Sequence, residues 1–171
     1  MKDDKIIHIS DELFKTEQFD VGDLQDEIRV DDLCGRLLRF FYLHLVEEEK
    51  RSPNEAGTLA HGADYFMREF IVPDRRENIF AISPFRVRQF AATWYIIRTV
   101  EPNMLELTRI LHGVEAFYRY CQRLGRISAA QLAGIEQECH NLPYYGERID
   151  RFWAIEGDGY FAWEEEVSLK N

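Results

Sequence analysis

The sequence predicts a mainly α protein, a compact bundle of about five to six helices with a small C-terminal β-hairpin. Three observations lead to this prediction. Apolar residues recur at steps of three and four, which is the spacing of one helix face. Capping residues and prolines stand at the boundaries of these stretches. Near the C-terminus, aromatic residues flank a glycine-rich turn, as they do in a hairpin.

The composition predicts one folded domain. The chain has 171 residues, of which 46% are hydrophobic and 13% aromatic. This length and apolar content suffice for a buried core, because a disordered chain has low hydrophobicity and few aromatics. We therefore expect a single helical domain over residues 1–171. Its first part, residues 1–29, is acidic and only weakly patterned, and we expect a weakly structured lead-in there.

The first helices are predicted from caps and apolar spacing. Ser10, followed by acidic residues, predicts a short helix. Asp31 or Asp32 is predicted to cap a long helix that ends near Lys50. Its broad apolar face indicates a central position in the bundle. That face consists of Leu33, Leu37, Phe40, Phe41 and Leu45, widened by Cys34 and Leu38.

Further helices follow along the chain. A helix over about 55–71 is closed by Pro73, and Ser83-Pro84 predicts the start of the next one. Residues 104–124 form the strongest helix prediction, with Gly125 as its C-terminal cap. Ser128 predicts a helix to about 141, and a short one is expected over 144–151.

The last segment predicts strands. Residues 152–156 and 160–163 flank the turn 157–159, whose two glycines permit positive φ, so a β-hairpin is expected over 152–164. Residues 5–9 could supply a third strand. Because side chains alternate along a strand, one aromatic face would pack on the helices and the other would stay available for a partner.

The location is predicted from three sequence features. Cys34, Cys121 and Cys139 are odd in number and form no Cys-x-x-Cys, which is typical of reduced thiols in a cytoplasm. The N-terminus lacks the apolar stretch of a secretory signal. The longest strongly apolar stretch, about 90–97, is too short to cross a membrane. We expect a cytoplasmic protein without membrane contact.

The net charge of −10 is unevenly distributed. Residues 1–50 carry a net −7, residues 51–83 a net −1, residues 84–127 a net +4 and residues 128–171 a net −6. We expect the acidic ends to fold over the basic centre and pair with its arginines. A net negative protein also repels a polyanion, so nucleic acid is not the expected partner.

Common catalytic motifs are absent from the sequence. It contains no G-x-G-x-x-G, G-x-S-x-G or H-E-x-x-H, and no lysine stands between Lys50 and Lys170. The centre of the chain therefore supplies no P-loop lysine and no Schiff-base lysine. No cofactor is predicted.

A first alternative is association with nucleic acid through the segment 84–126. Arginines bind phosphate, and exposed aromatics stack on bases. The candidate residues are Arg86, Arg88, Arg119, Arg123 and Arg126. The segment 110–128, with Phe117-Tyr118-Arg119-Tyr120 ahead of a glycine turn, resembles a helix in the core-binding domain of tyrosine recombinases. The resemblance covers about twenty residues and implies a related helical packing unit.

A second alternative is a metal-dependent helical-bundle enzyme. His44 with Glu47, and His61 with Asp64, place an imidazole and a carboxylate three residues apart on one helix face. Converging pairs of this kind could hold a metal ion. The neighbouring Cys139 and His140 do not predict a thiol nucleophile, because adjacent residues on a helix point about 100° apart.

The leading interpretation is a non-catalytic module that acts through protein–protein contact. Its partner is an unidentified protein or a second copy of the chain, giving a homodimer. The predicted partner-binding residues are the aromatics of the C-terminal segment. These residues are Trp153, Tyr160, Phe161 and Trp163.

Overall fold

The computed structural model describes residues 12–171, and every regular element in that range is helical. Two short 3-10 helices, Glu12–Phe14 and Thr16–Phe19, precede the long helix α1 (Leu24–Glu47). Helix α2 (Pro53–Tyr65) continues directly into a π-helical segment, Phe66–Arg75.

The second half begins with another helix that contains a π-helical turn. Helix α3 (Phe85–Gln89) leads into the π-helical turn Phe90–Trp94, which continues as α4 (Tyr95–Arg98). Four helices follow: α5 (Met104–Arg123), α6 (Ala129–Cys139), α7 (Leu142–Trp153) and α8 (Tyr160–Glu166). None of the helices within residues 12–171 combines the length and apolar character needed to span a bilayer.

Side-chain caps define where several helices begin. Ser128 accepts a hydrogen bond from the Gln131 amide, as its sequence position predicts. Helix α1, however, begins at Leu24, within the segment that was expected to be weakly structured. Asp23 caps it by accepting from the Asp26 amide, and acidic residues in the first turn complement the helix dipole.

Helix α5 lies at the centre of the core. It runs from Met104 to Arg123, which confirms the prediction for residues 104–124 within one residue. Asn103 caps its start, its apolar stripe packs against α2, α6 and α7, and Phe117 contacts the ring of Phe41 in α1. The buried residues of the stripe are Leu107, Ile110, Leu111, Val114, Phe117, Tyr118 and Cys121.

Helices α2 and α5 approach each other unusually closely because glycines face each other across their contact. A Cβ added at Gly113 would lie 2.3 Å from the Leu59 carbonyl oxygen, and one at Gly62 would lie 2.8 Å from that of Ile110. Only glycine leaves room for backbone at these separations. The two glycines thus set the interhelical distance at the centre of the molecule.

The predicted C-terminal β-hairpin is wrong, because residues 152–164 contain no strand. Helix α7 continues to Trp153 and α8 starts at Tyr160. Gly157 does adopt a positive φ of 59°, but the turn it forms joins two helices. Tyr145, Ile149 and Phe152 are spaced four and three residues apart, so they share one face of a helix. This helical spacing extends to Phe152, the first residue of the predicted strand. Four residues of apparent alternation were too few to distinguish a strand from a helix end.

The predicted third strand at residues 5–9 lies outside the described residues, as does Ser10, and the chain just after it forms the 3-10 helix Glu12–Phe14.

Candidate functional site

The end of α7 and the start of α8 carry a continuous chain of aromatic rings. The Trp153 and Phe152 ring centroids lie 5.8 Å apart, and those of Phe152 and Trp163 lie 5.0 Å apart. From Trp163 the chain continues to Tyr160 at 6.1 Å, and from Tyr160 to Phe161 at 5.9 Å. These separations fall within the range of favourable aromatic contacts. The five residues are referred to below as the aromatic surface.

The aromatic surface is anchored at its middle and open at its ends. Trp163 is buried, with 6% of its surface exposed, and Phe152 is half-buried. Trp153 is 60% exposed and Phe161 is 74% exposed, while Tyr160 is just exposed. Large aromatics that remain in water within one connected patch form a candidate interaction surface, because aromatics are enriched in interface cores.

Arg148 of α7 fixes Trp163 in place. The arginine side chain is fully buried, and its guanidinium carbon lies 3.9 Å from the centroid of a Trp163 ring. Each side chain also donates a hydrogen bond to the backbone of the other residue. The guanidinium donates to the Trp163 carbonyl oxygen at 2.6 Å, and the indole N–H donates to the Arg148 carbonyl oxygen at 3.0 Å. Helix α8 is thereby tied to α7.

Arg148 also reaches the π-helical turn between α3 and α4. It donates to the Ala92 carbonyl oxygen at 3.0 Å and lies 3.2 Å from the Thr93 hydroxyl oxygen. A carboxylate oxygen of Glu166 at 2.9 Å supplies the counter-charge. Burial lowers the pKa of the Arg148 guanidinium, although Glu166 opposes that shift. The aromatic surface therefore rests on a buried polar network connected to the core.

The part of the chain that carries the aromatic surface, residues 147–166, is rich in acidic residues. Both nearby arginines, Arg148 and Arg151, place a nitrogen within 2.9 Å of the same Glu166 oxygen. Four other acidic residues in the segment are exposed and make no side-chain hydrogen bond or ion pair with any described residue. These residues are Asp150, Glu156, Asp158 and Glu165.

Of the four residues predicted to bind a partner, three are exposed and one is not. Trp153, Tyr160 and Phe161 lie on the surface, whereas Trp163 is part of the core beneath them. The sequence pattern identified these aromatics from their density. It missed Arg148, whose spacing of three and four from Tyr145 and Phe152 was the available signal for the buried face.

The arginines predicted for nucleic-acid binding are paired with acidic groups. Arg86 lies 2.5 Å from Glu77, Arg88 lies 2.7 Å from Glu138, and Arg119 lies 2.6 Å from Glu115. Arg123 lies 3.7 Å from Glu49. Arg126 also interacts with groups of the chain. An ion pair lowers the positive potential that a phosphate would meet, while the side chains of Arg88, Arg119 and Arg123 remain 41%, 55% and 62% exposed.

The residues predicted for metal binding do not converge. The His44 ring nitrogen lies 3.4 Å from Glu49 rather than near Glu47, and Asp64 accepts a hydrogen bond from Arg68 at 3.0 Å. His61 is exposed on another helix. Within residues 12–171, no group of three or more histidine, cysteine and acidic side chains is placed to hold a metal ion.

A histidine–carboxylate pair that sequence spacing did not indicate joins α5 and the end of α6. Glu115 is buried, and its carboxylate lies 2.8 Å from the His140 ring and 2.6 Å from Arg119. Such a pair resembles the base of a nucleophilic site. The neighbouring Cys139 thiol is buried, and burial raises its pKa, which keeps it protonated. The pair therefore assembles no activated thiol.

No family model, no curated protein and no solved structure matches this chain.

Proposed function

We propose that this protein is a non-catalytic protein–protein interaction module, and that its aromatic surface binds a protein segment carrying apolar and basic side chains. The observation that carries the proposal is the exposure of Trp153 and Phe161 at the two ends of a ring chain anchored in the core. Rigid aromatics held by buried neighbours lose little conformational entropy on binding.

The exposed rings are large enough to contribute several kcal/mol to a binding free energy. Burying an aromatic side chain contributes roughly 1.5–3 kcal/mol in transfer free energy. Tryptophan is among the residues that most often dominate an interface, where its truncation costs about 2 kcal/mol or more. Two such anchors, Trp153 and Phe161, are available on the aromatic surface.

The charge around the rings specifies the kind of partner. Asp150, Glu156, Asp158 and Glu165 are exposed and unpaired among the described residues, so the rim of the surface is acidic. Complementary charge steers association and excludes wrong partners. Basic side chains on the partner form ion pairs with these acidic residues.

The same charge disfavours a symmetric dimer through this surface. A two-fold contact places each patch against its own copy, so the acidic rims would face each other. Juxtaposed like charges cost binding free energy. The homodimer predicted from the sequence stays a prediction, and light scattering after gel filtration measures it.

The proposal is tested with labelled model peptides and the full chain. The first peptide is an amphipathic helix with leucines on one face and lysines on the other. One matched peptide replaces the lysines with glutamates, and a second replaces the leucines with serines. Fluorescence anisotropy is expected to show saturable binding of the leucine–lysine peptide and at least tenfold weaker binding of the other two, a difference of about 1.4 kcal/mol.

Variants locate the binding. The double variant Trp153→Ser, Phe161→Ser is expected to lose at least tenfold in affinity. The control variant Leu24→Ser, Ile28→Ser removes two side chains of α1 that are each 61% exposed and leaves the aromatic surface intact. Equal affinity of both double variants for the leucine–lysine peptide, or no binding to the unaltered protein, refutes the proposal.

A further inference from the structure

A second concave site lies on another part of the molecule. A cleft of about 720 Å³ is enclosed by α2, the end of α4 and the first turns of α5. This volume is within the range of small-molecule sites. It adjoins a shallower depression lined by Arg51 and His112, and Arg109 lines both.

The cleft is open because of where glycines stand on α2. Gly62 brings α2 against α5 at the inner end of the cleft. Gly57 lines the cleft one and a half turns earlier, and a Cβ placed there would have no other heavy atom within 4 Å. The missing side chain at residue 57 therefore leaves empty space where a larger residue would project.

The cleft contains two guanidinium groups and one carboxylate. Arg109 makes no hydrogen bond and no ion pair with any described residue, unlike most arginines in the chain. Arg98 is exposed, and a carboxylate oxygen of Asp74 lies 3.6 Å away. The carboxylate of Glu106 accepts a hydrogen bond from the Tyr95 hydroxyl at 2.9 Å. In a protein of net charge −10, Arg109 thus gives the cleft one positive charge that is paired with no described residue, beside Arg98, which lies near Asp74.

The remaining walls are both apolar and polar. Val100 is 90% exposed at the rim, and Ile110 and Tyr65 lie along the interior. His61, Thr58 and the other polar lining groups provide hydrogen-bonding atoms. A cleft with apolar walls and a few charged groups is the usual form of a site for a small organic ligand.

We infer that this cleft binds a small organic anion. Its carboxylate or phosphate lies against Arg109 and Arg98, and its apolar body lies against Tyr65, Val100 and Ile110. Arginine suits this role because its planar guanidinium donates two parallel hydrogen bonds to a carboxylate or phosphate. The inference is independent of the aromatic surface and of its partner.

Isothermal titration calorimetry with three probes tests the inference: phenyl phosphate, benzoate and inorganic phosphate. At least one of the two aromatic anions is expected to bind at one site with submillimolar affinity. Inorganic phosphate is expected to bind at least tenfold more weakly, because it cannot use the apolar walls. The two aromatic probes distinguish a phosphate site from a carboxylate site. The inference fails if neither aromatic anion binds saturably, or if inorganic phosphate binds as tightly as they do.

Two variants assign the binding to the cleft. Arg109→Gln removes the unpaired charge and is expected to weaken the aromatic anion at least tenfold. Gly57→Leu fills the cleft and is expected to abolish binding, while circular dichroism shows an unchanged fold because leucine favours a helix more than glycine does. Gly57→Ala serves as the smaller replacement if the leucine variant is unstable.

Controls separate this site from other sources of binding. Arg39 on α1 is another arginine that pairs with no described residue. Arg39→Gln is expected to leave the affinity for the aromatic anion unchanged. The double variant Trp153→Ser, Phe161→Ser is also expected to bind the anion with unchanged affinity. Anion binding and peptide binding can therefore fail independently of each other. Equal affinity of Arg109→Gln and Arg39→Gln overturns the inference.

Discussion

Gly113 shows how a single residue sets the packing of two helices. Its α-carbon faces the α2 backbone, and a Cβ added there would lie 2.3 Å from the Leu59 carbonyl oxygen and 3.0 Å from the Ala63 amide nitrogen. Neither backbone atom moves unless a helix moves. Interiors are close-packed, so a single added methyl group must separate α2 from α5.

Replacing Gly113 with alanine is therefore expected to destabilise the protein by about 1–3 kcal/mol, the usual cost of overpacking a core. Urea unfolding followed by tryptophan fluorescence measures the change. Gly57→Ala is the matched control, because nothing lies within 4 Å of a Cβ at that residue. It is expected to raise the free energy of unfolding by up to about 1 kcal/mol through helix propensity. Equal stability of the two variants would contradict this account of the helix contact.

At the scale of elements, the C-terminal segment is held by side chains from the middle of the chain. After α8 ends at Glu166, the backbone carbonyl oxygens accept hydrogen bonds from three polar residues. Thr93 donates to Val167 at 2.7 Å, Gln89 to Ser168 at 2.8 Å, and Arg75 to Leu169 at 2.7 Å. An irregular segment has no internal hydrogen bonds to satisfy its carbonyl groups, so these buried donors replace them.

Arg148 is the most costly residue to remove from this arrangement. Arg148→Met is expected to lower the free energy of unfolding by about 3 kcal/mol or more, because it removes the buried donor to the carbonyl oxygens of Ala92 and Trp163. Chemical denaturation measures the loss, and near-ultraviolet circular dichroism is expected to report a changed environment of Trp163.

Arg151→Met provides the matched control for that loss. Arg151 lies 2.8 Å from the same Glu166 oxygen but is exposed, and exposed ion pairs contribute about 0–1 kcal/mol. A similar loss in both variants would show that the Glu166 ion pair, rather than the buried network, is what Arg148 contributes.

At the scale of the whole molecule, the uneven charge is balanced by pairing across the fold. Arg88 and Arg119 of the basic centre contact Glu138 and Glu136 of the acidic C-terminal part. Arg123 contacts Glu49 from the acidic N-terminal part. These ion pairs agree with acidic ends that fold over the basic centre, and they leave the exposed acids near the aromatic surface unbalanced.

The buried tyrosines make the whole fold sensitive to alkali. Burial raises the pKa of Tyr95, Tyr118 and Tyr145 above the ordinary value near 10, and it raises the pKa of Tyr120 to about 12. The unfolded chain releases these protons near pH 10 and the folded chain retains them. Their contribution is therefore complete below pH 10 and is lost as the pH rises above it.

Stability is accordingly expected to fall steeply above about pH 10. Ionisation of the four tyrosines, followed by absorbance at 295 nm, is expected to coincide with loss of helical circular dichroism. Complete ionisation of all tyrosines near pH 10 with the helical signal intact would contradict their burial.

Elements that depend on local chemistry follow from the residues of one segment. Asn103 and the apolar stripe of α5 specify a helix between Met104 and Arg123 whatever it packs against, because capping and side-chain spacing act within one element. Ser128 likewise specifies the start of α6. The density of aromatics near the C-terminus also identified Trp153, Tyr160 and Phe161 as a candidate surface before their exposure was known.

Which side chains meet across helices depends on long-range packing. Glu115 pairs with His140 across two helices, although His112 stands nearer in sequence, and Arg148 is buried although its residue type is typical of surfaces. Residues 152–164 form the end of α7, a turn and the start of α8, and the contacts between Arg148 and Trp163 that tie the two helices together are encoded by no local pattern. Periodicity specifies the face on which a side chain lies. The residue that this side chain contacts depends on the free energy of the assembled core, to which residues distant in sequence contribute.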